Sequence, residues 1–405
     1  MTAEDRRPLP LNGVRVLDIG RQIAGPFCAR LFARLGADVI KVEPPGQGDP
    51  ARRRGPFRPG AARGESGPLH LYVNEGKRGI TLDLASATGR NIFLRLVRES
   101  QIVIENFEPR VLGGLRLDYE ALSAEHPGIV MTSISSFGDS GPYRDYHGSE
   151  LTLFSMGGHM YRSGEAGRPP LRMGGAPAEY LAALSAAYAT MTALRVAEDS
   201  GAGKSGAGQH VDFSIIESQV TSHAQAMVEV SYYGAETGAD LPRSAAGGIR
   251  GVVTRDGPAM LSAQEQQTKS LAALVGAPEE LGRPNPMDRA AGRRELMEYT
   301  ARWAAQRTKR EVYEAGQEAH VPSSYVADPA DLLESPQYRH RGFIVEVEHP
   351  EAGTVAVPGL PFQWEGAWAP SRPAPRLGEH NAEVYSSLLG TTNEELMQLA
   401  GAGVI

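Results

Sequence analysis

The N-terminal third of the chain is a succession of short apolar runs separated by segments of helical character. Val14 to Ile19 (VRVLDI) reads as a buried strand, and Ala24-Gly25-Pro26 opens a helix through about Leu35, with proline in its favoured first turn. Ala37 to Val42, Gly79 to Leu82, Ile102 to Ile104 and Ile129 to Ile134 read as further strands, and Ser86 to Arg98 as a helix. Strands alternating with helices require crossover connections, so the pattern predicts an α/β fold with a mostly parallel sheet covered by helices.

The later pattern differs. Pro44 to Pro68 is a loop dense in Gly, Pro and Arg, and Ser200 to Gln209 has the composition of a flexible linker. His210 to Glu217 reads as a short strand running into a helix. From about Val230 to His340 short helices such as Arg293 to Gln306 dominate and suggest a second domain. Glu346 to Val357 reads as a hairpin-like strand pair, and Asn393 to Leu399 as a last helix. The expected boundaries are 1–205 for a large domain, 206–229 for a linker, 230–340 for a small α+β domain, and 341–405 for a segment returning to the large one.

At 405 residues two domains are the natural expectation. Apolar residues at 41% and charged residues at 22% describe a globular protein, and a net charge of −7 argues against nucleic acid or an anionic membrane as partner. The longest weakly polar run, Tyr180 to Leu194, is too short to span a bilayer, and MTAEDRRPLPLNG has no apolar signal core. A single cysteine, Cys28, precludes an intrachain disulfide, so a cytoplasmic location is expected.

One acidic residue stands out. In RPPLRMGGAPAEYLAALSAAYATMTALR, Arg168 to Arg195, a Gly/Pro-rich loop delivers Glu179 to the start of a helix rich in small apolar side chains. Acids are common at helix starts, where free N–H groups and the positive dipole end favour negative charge, so this segment alone needs no catalytic explanation. Other motifs fail. Gly201 to Gly206 matches GxGxxG but follows a helix instead of a strand, so no nicotinamide or flavin is implied. The ten histidines are scattered and no cysteine cluster exists, so no metal site is expected. Cys28, on an apolar helix face, reads as a packed thiol. Arg52-Arg53-Arg54, with Arg58 and Arg63, reads as a solvated loop with the option of meeting a phosphorylated ligand. The turn after Ile19, with Arg21 and the helix opened at Ala24, lies where open α/β sheets bind ligands.

Several segments together resemble the class III CoA-transferase superfamily, of formyl-CoA transferase, carnitine CoA-transferase and α-methylacyl-CoA racemase type. They are PLNGVRVLDIG, AGPFCARLFARLGADVIKVEPPGQGDPAR, NEGKRGITLDL, VIENFEPRVL, SISSFGDSGPY, GAGQHVDFSIIES, HPEAGTV and LGEHNAEV, in the family's order along nearly the whole chain. The resemblance implies a Rossmann-like large domain built from both chain ends, a smaller middle domain, and a homodimer of interlinked protomers. It implies coenzyme A or acyl-CoA as substrate on the large domain, near Arg21 and Ala24, then Asn74, Lys77 and Arg78, then Asn106 and Phe107. Cationic side chains and helix amides suit pyrophosphate, and Phe107 suits the adenine or pantetheine arm.

The family nucleophile is an aspartate at the start of an Ala/Gly-rich helix, a slot that holds Glu179 here. The extra methylene shifts the carboxylate by about 1 Å, a displacement of the kind that costs ~100-fold in rate where a site is not adjusted to it. The implied reaction moves CoA between an acyl-CoA and a small carboxylic acid through a glutamyl-CoA intermediate, with backbone N–H groups at Gly174 and Gly175 steadying the oxyanions. The racemase branch carries a Gly-His-Asp segment where this chain has Gly148-Ser149-Glu150, and neither His147 nor His159 fills that slot. An acyl-CoA racemase, a dehydratase- or lyase-like enzyme, and a CoA-ester-binding homologue without transfer chemistry are the alternatives.

Overall fold

The computed structural model describes residues 9–60, 63–164, 168–199, 208–222, 224–234, 251–261, 263, 265–282, 289–363 and 372–405. The chain forms two compact units: one comprises Met1–Gly164, Arg168–Gly238 and Gly342–Ile405, the other Glu165–Gly167 and Ala239–Arg341.

The first unit is organised by six parallel strands, β1 (Arg15–Asp18), β2 (Asp38–Glu43), β3 (Arg78–Thr81), β4 (Ile102–Glu105), β5 (Val130–Ser135) and β6 (His210–Ser214). Their order is β3-β2-β1-β4-β5-β6. This is the doubly wound arrangement, in which the chain leaves β1 toward one edge and returns at β4 toward the other. The loops after β1 and β4 therefore part and leave a crevice at the carboxyl edge. The first helices are α1 (Ala24–Arg34), α2 (Pro68–Val73), α3 (Ala87–Arg98), α4 (Val111–Leu115) and α5 (Tyr119–Glu125). They are followed by α6 (Glu150–Met156), α7 (Pro177–Asp199), α8 (Ile215–Ser222) and α9 (Ala224–Tyr233).

Strand side chains alternate between two cores, because successive residues point to opposite faces. Val16, Val39, Ile102, Ile104 and Val130 pack under Phe27 and Phe32 of α1 and under the alanines of α7, namely Ala178, Ala182, Ala183, Ala186 and Ala187. Those small side chains let the long helix lie close against α1 and the sheet. Leu17, Ile40, Ile80 and Val103 face the opposite way, onto Phe93 and Leu96 of α3, Leu122 of α5, and Val384 and Tyr385 near the C-terminus. Burial on both sides explains why these strands read as apolar runs.

The C-terminal segment completes the sheet's far edge. Helix Asn381–Leu389 lies beside β3, where Tyr385 Oη donates to the Thr81 carbonyl at 2.6 Å and the Thr81 amide donates to Asn381 Oδ1 at 2.8 Å. A hairpin of Ile344–His349 and Gly353–Pro358 precedes it, and the last helix is Asn393–Gly401. The second unit holds an antiparallel sheet of Val252–Val253, Pro258–Leu261 and Ser323–Tyr325. Leu261, Leu271, Val312 and Val321 form its core with helices Thr268–Val275 and Lys309–Glu318.

Where a linker is expected over 206–229, the described residues form β6, α8 and the beginning of α9. β6 is an edge strand, so only one side of it is paired and its burial alternates with solvent exposure, which weakens its apolar signal. The second unit begins at Ala239, after α9, rather than at 230. The remaining linker residues 200–207, with the GxGxxG stretch, lie outside the described residues.

Buried ion pairs lock the first unit. Glu75, 1% exposed at its side chain, accepts from Arg30 Nε at 3.0 Å and from Arg34 Nη1 at 3.0 Å. Removing one partner of a buried pair strands the other charge, which is far costlier than losing an exposed pair. Glu75→Ala leaves two buried guanidiniums without their counter-charge and is expected to lower unfolding free energy by about 3–5 kcal/mol, read from the urea midpoint by circular dichroism.

Candidate active site

The carboxyl edge is shaped first by close backbone packing. A Cβ on Gly20 would lie 2.9 Å from the Gly25 Cα and 3.0 Å from Asn106 Oδ1, so the β1–α1 turn leaves no room for a side chain there. Asn106, at the end of β4, bridges the crevice: it accepts from the Arg21 amide at 2.6 Å and donates to the Arg21 carbonyl at 3.0 Å. The Arg21 guanidinium lies 4.6 Å from the Phe107 ring centroid. Gln22 adopts a left-handed conformation (φ 59°), unusual for a residue with a side chain, and its amide donates to Asp49 Oδ1 at 3.0 Å. Arg21, Ala24, Asn106 and Phe107 are thus brought together where two loops diverge.

Phe107 also forms one wall of a cavity of about 370 Å³ that reaches Glu105, Ser133, Arg144 and His210. Neither Ala24 nor Glu179 lines it. Burial is the main reason the Glu105 carboxyl is pushed up to about 7.

Glu179 meets the crevice from α7. Its carboxyl comes under the influence of the backbone N–H of Ala24, the first residue of α1, which acts to lower its pKa. The Ile23 side chain does not cap that helix, so its positive end faces an acid from a distant segment. The start of α7 is held in turn by Glu150, whose carboxylate accepts from the Ala178 amide at 3.1 Å and the Glu179 amide at 3.2 Å. Glu150 begins α6, where Ser149 and Thr152 form a reciprocal cap. Glu179 is half-buried, and its carboxyl is raised above the ordinary glutamate value, first by desolvation and then by the negative charge of Glu150. Arg54 and the Ala24 N–H act in the opposite direction. A carboxylate partly stripped of water, yet held ionisable by a cation and a helix start, has the properties of a nucleophile.

Other expected residues have different positions. Lys77 is buried, with its ammonium donating to Asp18 Oδ2 at 2.7 Å, the Pro26 carbonyl at 2.7 Å and Asn74 Oδ1 at 2.8 Å. Asn74 Nδ2 faces His70 Nδ1 at 3.0 Å. These polar atoms serve the interior, between α1 and the chain leading into β3, and are not presented to a phosphate. Arg78 lies at the start of β3, on the sheet's amino edge, paired with Asp38 at 2.7 Å and Glu383 at 2.9 Å. Gly174 and Gly175 are exposed, with open space where a Cβ would stand and a left-handed φ at Gly175.

The arginine run divides. Arg52 is buried, donating to both Glu43 oxygens at 2.8 and 2.6 Å and to Glu65 at 2.8 Å, and Arg53 donates to the Gln47 carbonyl. Arg54 is exposed, and its charge acts to lower the Glu179 carboxyl. Cys28 is fully buried and its thiol is pushed up by desolvation, as a packed and unreactive side chain should be. Sequence reasoning missed Glu150 and Arg54. Glu150 had a signal, an acid directly after a capping serine; Arg54 had none, because its neighbours in sequence are arginines with other partners.

The comparisons with known proteins cover the same elements. A family model described as CoA-transferase family III matches residues 11–381. The chain is 34% identical over 416 aligned residues to the succinyl-CoA–D-citramalate CoA-transferase of Chloroflexus aurantiacus, with 100% of both chains covered. It is 32% identical to the succinate–glutarate CoA-transferase of Agrobacterium fabrum, over 96% of this chain and 98% of that one. Among solved structures, a CAIB/BAIF family protein from Brucella suis matches with a TM-score of 0.82 at 28% identity, over 94% of this chain and 100% of that one. Spanning both the crevice of the sheet and the helix that carries Glu179, these matches show that the chain belongs to CoA-transferase family III.

Proposed function

We propose that this CoA-transferase exchanges CoA between an acyl-CoA and a dicarboxylic acid through covalent chemistry on Glu179. The observation that carries the reading is Glu179 at the start of α7, a half-buried acid held by Glu150 and facing the open start of α1 at the carboxyl edge of a doubly wound sheet. The acid class follows the relatives, which are named for succinyl-CoA, citramalate, succinate and glutarate.

The steps balance without a redox partner. The Glu179 carboxylate attacks the donor thioester carbonyl and expels CoA thiolate, leaving an acyl-glutamyl anhydride. The thiolate attacks the glutamyl carbonyl, releasing the donor acid and forming a glutamyl-CoA thioester. The acceptor carboxylate then displaces the thiolate to give a second anhydride, and thiolate attack on its acceptor carbonyl releases the new acyl-CoA and restores Glu179. Each step splits a hard exchange into easier ones. The Ala24 N–H lies where negative charge develops on the glutamyl oxygens, and the exposed amides of Gly174 and Gly175 are the candidates to steady the oxygen of the incoming acyl group. CoA lies across Arg21, Ala24, Asn106 and Phe107; Asn74, Lys77 and Arg78 drop out of that surface because their polar atoms are taken up elsewhere.

The protein works as a homodimer in this reading. Leu184 and Val196 of α7 are exposed, as are Met227 and Val228 of α9, while Tyr188 and Tyr232 are 71% and 79% exposed. A row of apolar side chains on two helices of a globular unit calls for a cover, and a second copy supplies one. A single buried cysteine suits a cytoplasmic setting.

Three measurements test this. Glu179→Gln should cut exchange between succinyl-CoA and an acceptor acid by roughly a thousandfold or more and abolish a hydroxylamine-sensitive CoA adduct on the peptide carrying residue 179; a retained adduct refutes the nucleophile. Because the ionised carboxylate attacks, kcat/KM should rise with pH through an ionisation above the 4.5 of an ordinary glutamate. Glu150→Gln, by removing the neighbouring negative charge, should move that limb to lower pH. Tyr188→Asp should shift the light-scattering mass from dimer toward the 43.4 kDa protomer.

A further inference from the structure

A dicarboxylic substrate sets a problem that a monocarboxylic one does not. One carboxylate becomes the acyl group, while the other stays ionised throughout and must be held near Glu179 and Glu150, two groups of the same sign. A charge brought into a cleft partly stripped of water needs a counter-charge.

The turn before Arg54 is anchored more firmly than a surface loop requires. Asp49 Oδ1 accepts from the Ala51 amide at 2.8 Å and from the Gln22 amide at 3.0 Å, tying the turn to the segment that enters α1. Arg52 pins it from the other side through Glu43 and Glu65, and donates to the Pro375 carbonyl at 3.0 Å. Gly67 packs so tightly there that a Cβ would lie 2.5 Å from the Arg52 carbonyl oxygen. The Arg54 amide donates to the Ala51 carbonyl at 3.3 Å, so its backbone continues a turn that is tied to the segment entering α1. The start of α7 meets the same helix start, where the Tyr180 ring stands edge-on to the Phe27 ring at 4.8 Å between centroids. The Arg54 guanidinium is exposed and has no hydrogen bond or ion pair with any described residue, and its charge acts on both the Glu179 carboxyl and the Tyr180 hydroxyl.

We propose that Arg54 is the specificity-determining residue of this site, binding the far carboxylate of a dicarboxylic acid whose near carboxylate reacts at Glu179. The inference rests on the reading of Glu179 as the reacting group. A guanidinium presents a planar fork of donors matched to a carboxylate, so it rewards the diacid. A monocarboxylic acid of equal length would instead cover Arg54 with an apolar tail and leave it unpaired, and selectivity comes from both effects.

The test compares glutarate with valerate, equal in chain length and different only in the second carboxylate. In the full-length enzyme with succinyl-CoA as donor, Arg54→Gln should lower the glutarate-to-valerate ratio of kcat/KM by roughly 100-fold, and Arg54→Lys should restore part of it. Taking the ratio cancels any change in Glu179 ionisation, which affects both acceptors alike. Calorimetric binding of free glutarate to wild type and Arg54→Gln gives a second readout that needs no turnover. A ratio unchanged by Arg54→Gln, or glutarate binding indifferent to it, overturns the proposal. If wild type binds glutarate through Arg54 yet forms no adduct and transfers no CoA, the Glu179 chemistry fails while the carboxylate subsite stands.

Discussion

The free N-terminus of α1 is the constraint around which the rest of the site is arranged. A helix start leaves backbone N–H groups without partners, and here the Ile23 side chain does not cap them. The β1–α1 turn is packed too closely for a side chain at Gly20, which keeps the helix start open to the crevice. The acid that acts on this start, Glu179, comes from α7, more than 150 residues along the chain.

Glu179 is tuned by opposing influences from four different segments. Burial between α1 and α7 raises its carboxyl, and Glu150 of α6 raises it further. Arg54, from the loop after β2, and the start of α1 hold it down. Desolvation alone would produce a neutral acid, and a bare cation contact would produce a weakly basic one. The two Glu150 contacts to α7 also fix the direction from which Glu179 enters the cleft. Around this centre, charges that look available in the sequence are consumed by the frame: Lys77 and Lys41 by Asp18 and Asp49, Arg30 and Arg34 by Glu75, and Arg52 by Glu43.

The legibility of the chain follows the range of the interactions involved. β1, β2, β4 and β5 were readable because burial on both faces makes a strand apolar throughout, a purely local signature. β6 was readable as a strand but not as part of the large unit, since an edge position leaves half its residues exposed and the linker composition before it dominates the pattern. Glu179 could be singled out, as an acid at a helix start within a run of family motifs. Its docking on α1 could not, because nothing local at either segment specifies the other.

The sequence by itself determined the mostly parallel sheet covered by helices, the position of the long Ala-rich helix, the family, and the one carboxylate at that helix's start. Those properties depend on periodicity, on turn chemistry and on ordered motifs, all of which are written along the chain. Only the tertiary structure decided which charges face the cleft. It moved Asn74 and Lys77 into the interior and Arg78 to the amino edge, and left the charge of Arg54 free to act on Glu179. The reason is physical: the state and role of an ionisable group are set by its partners and its desolvation, and both are supplied by segments that folding alone brings together.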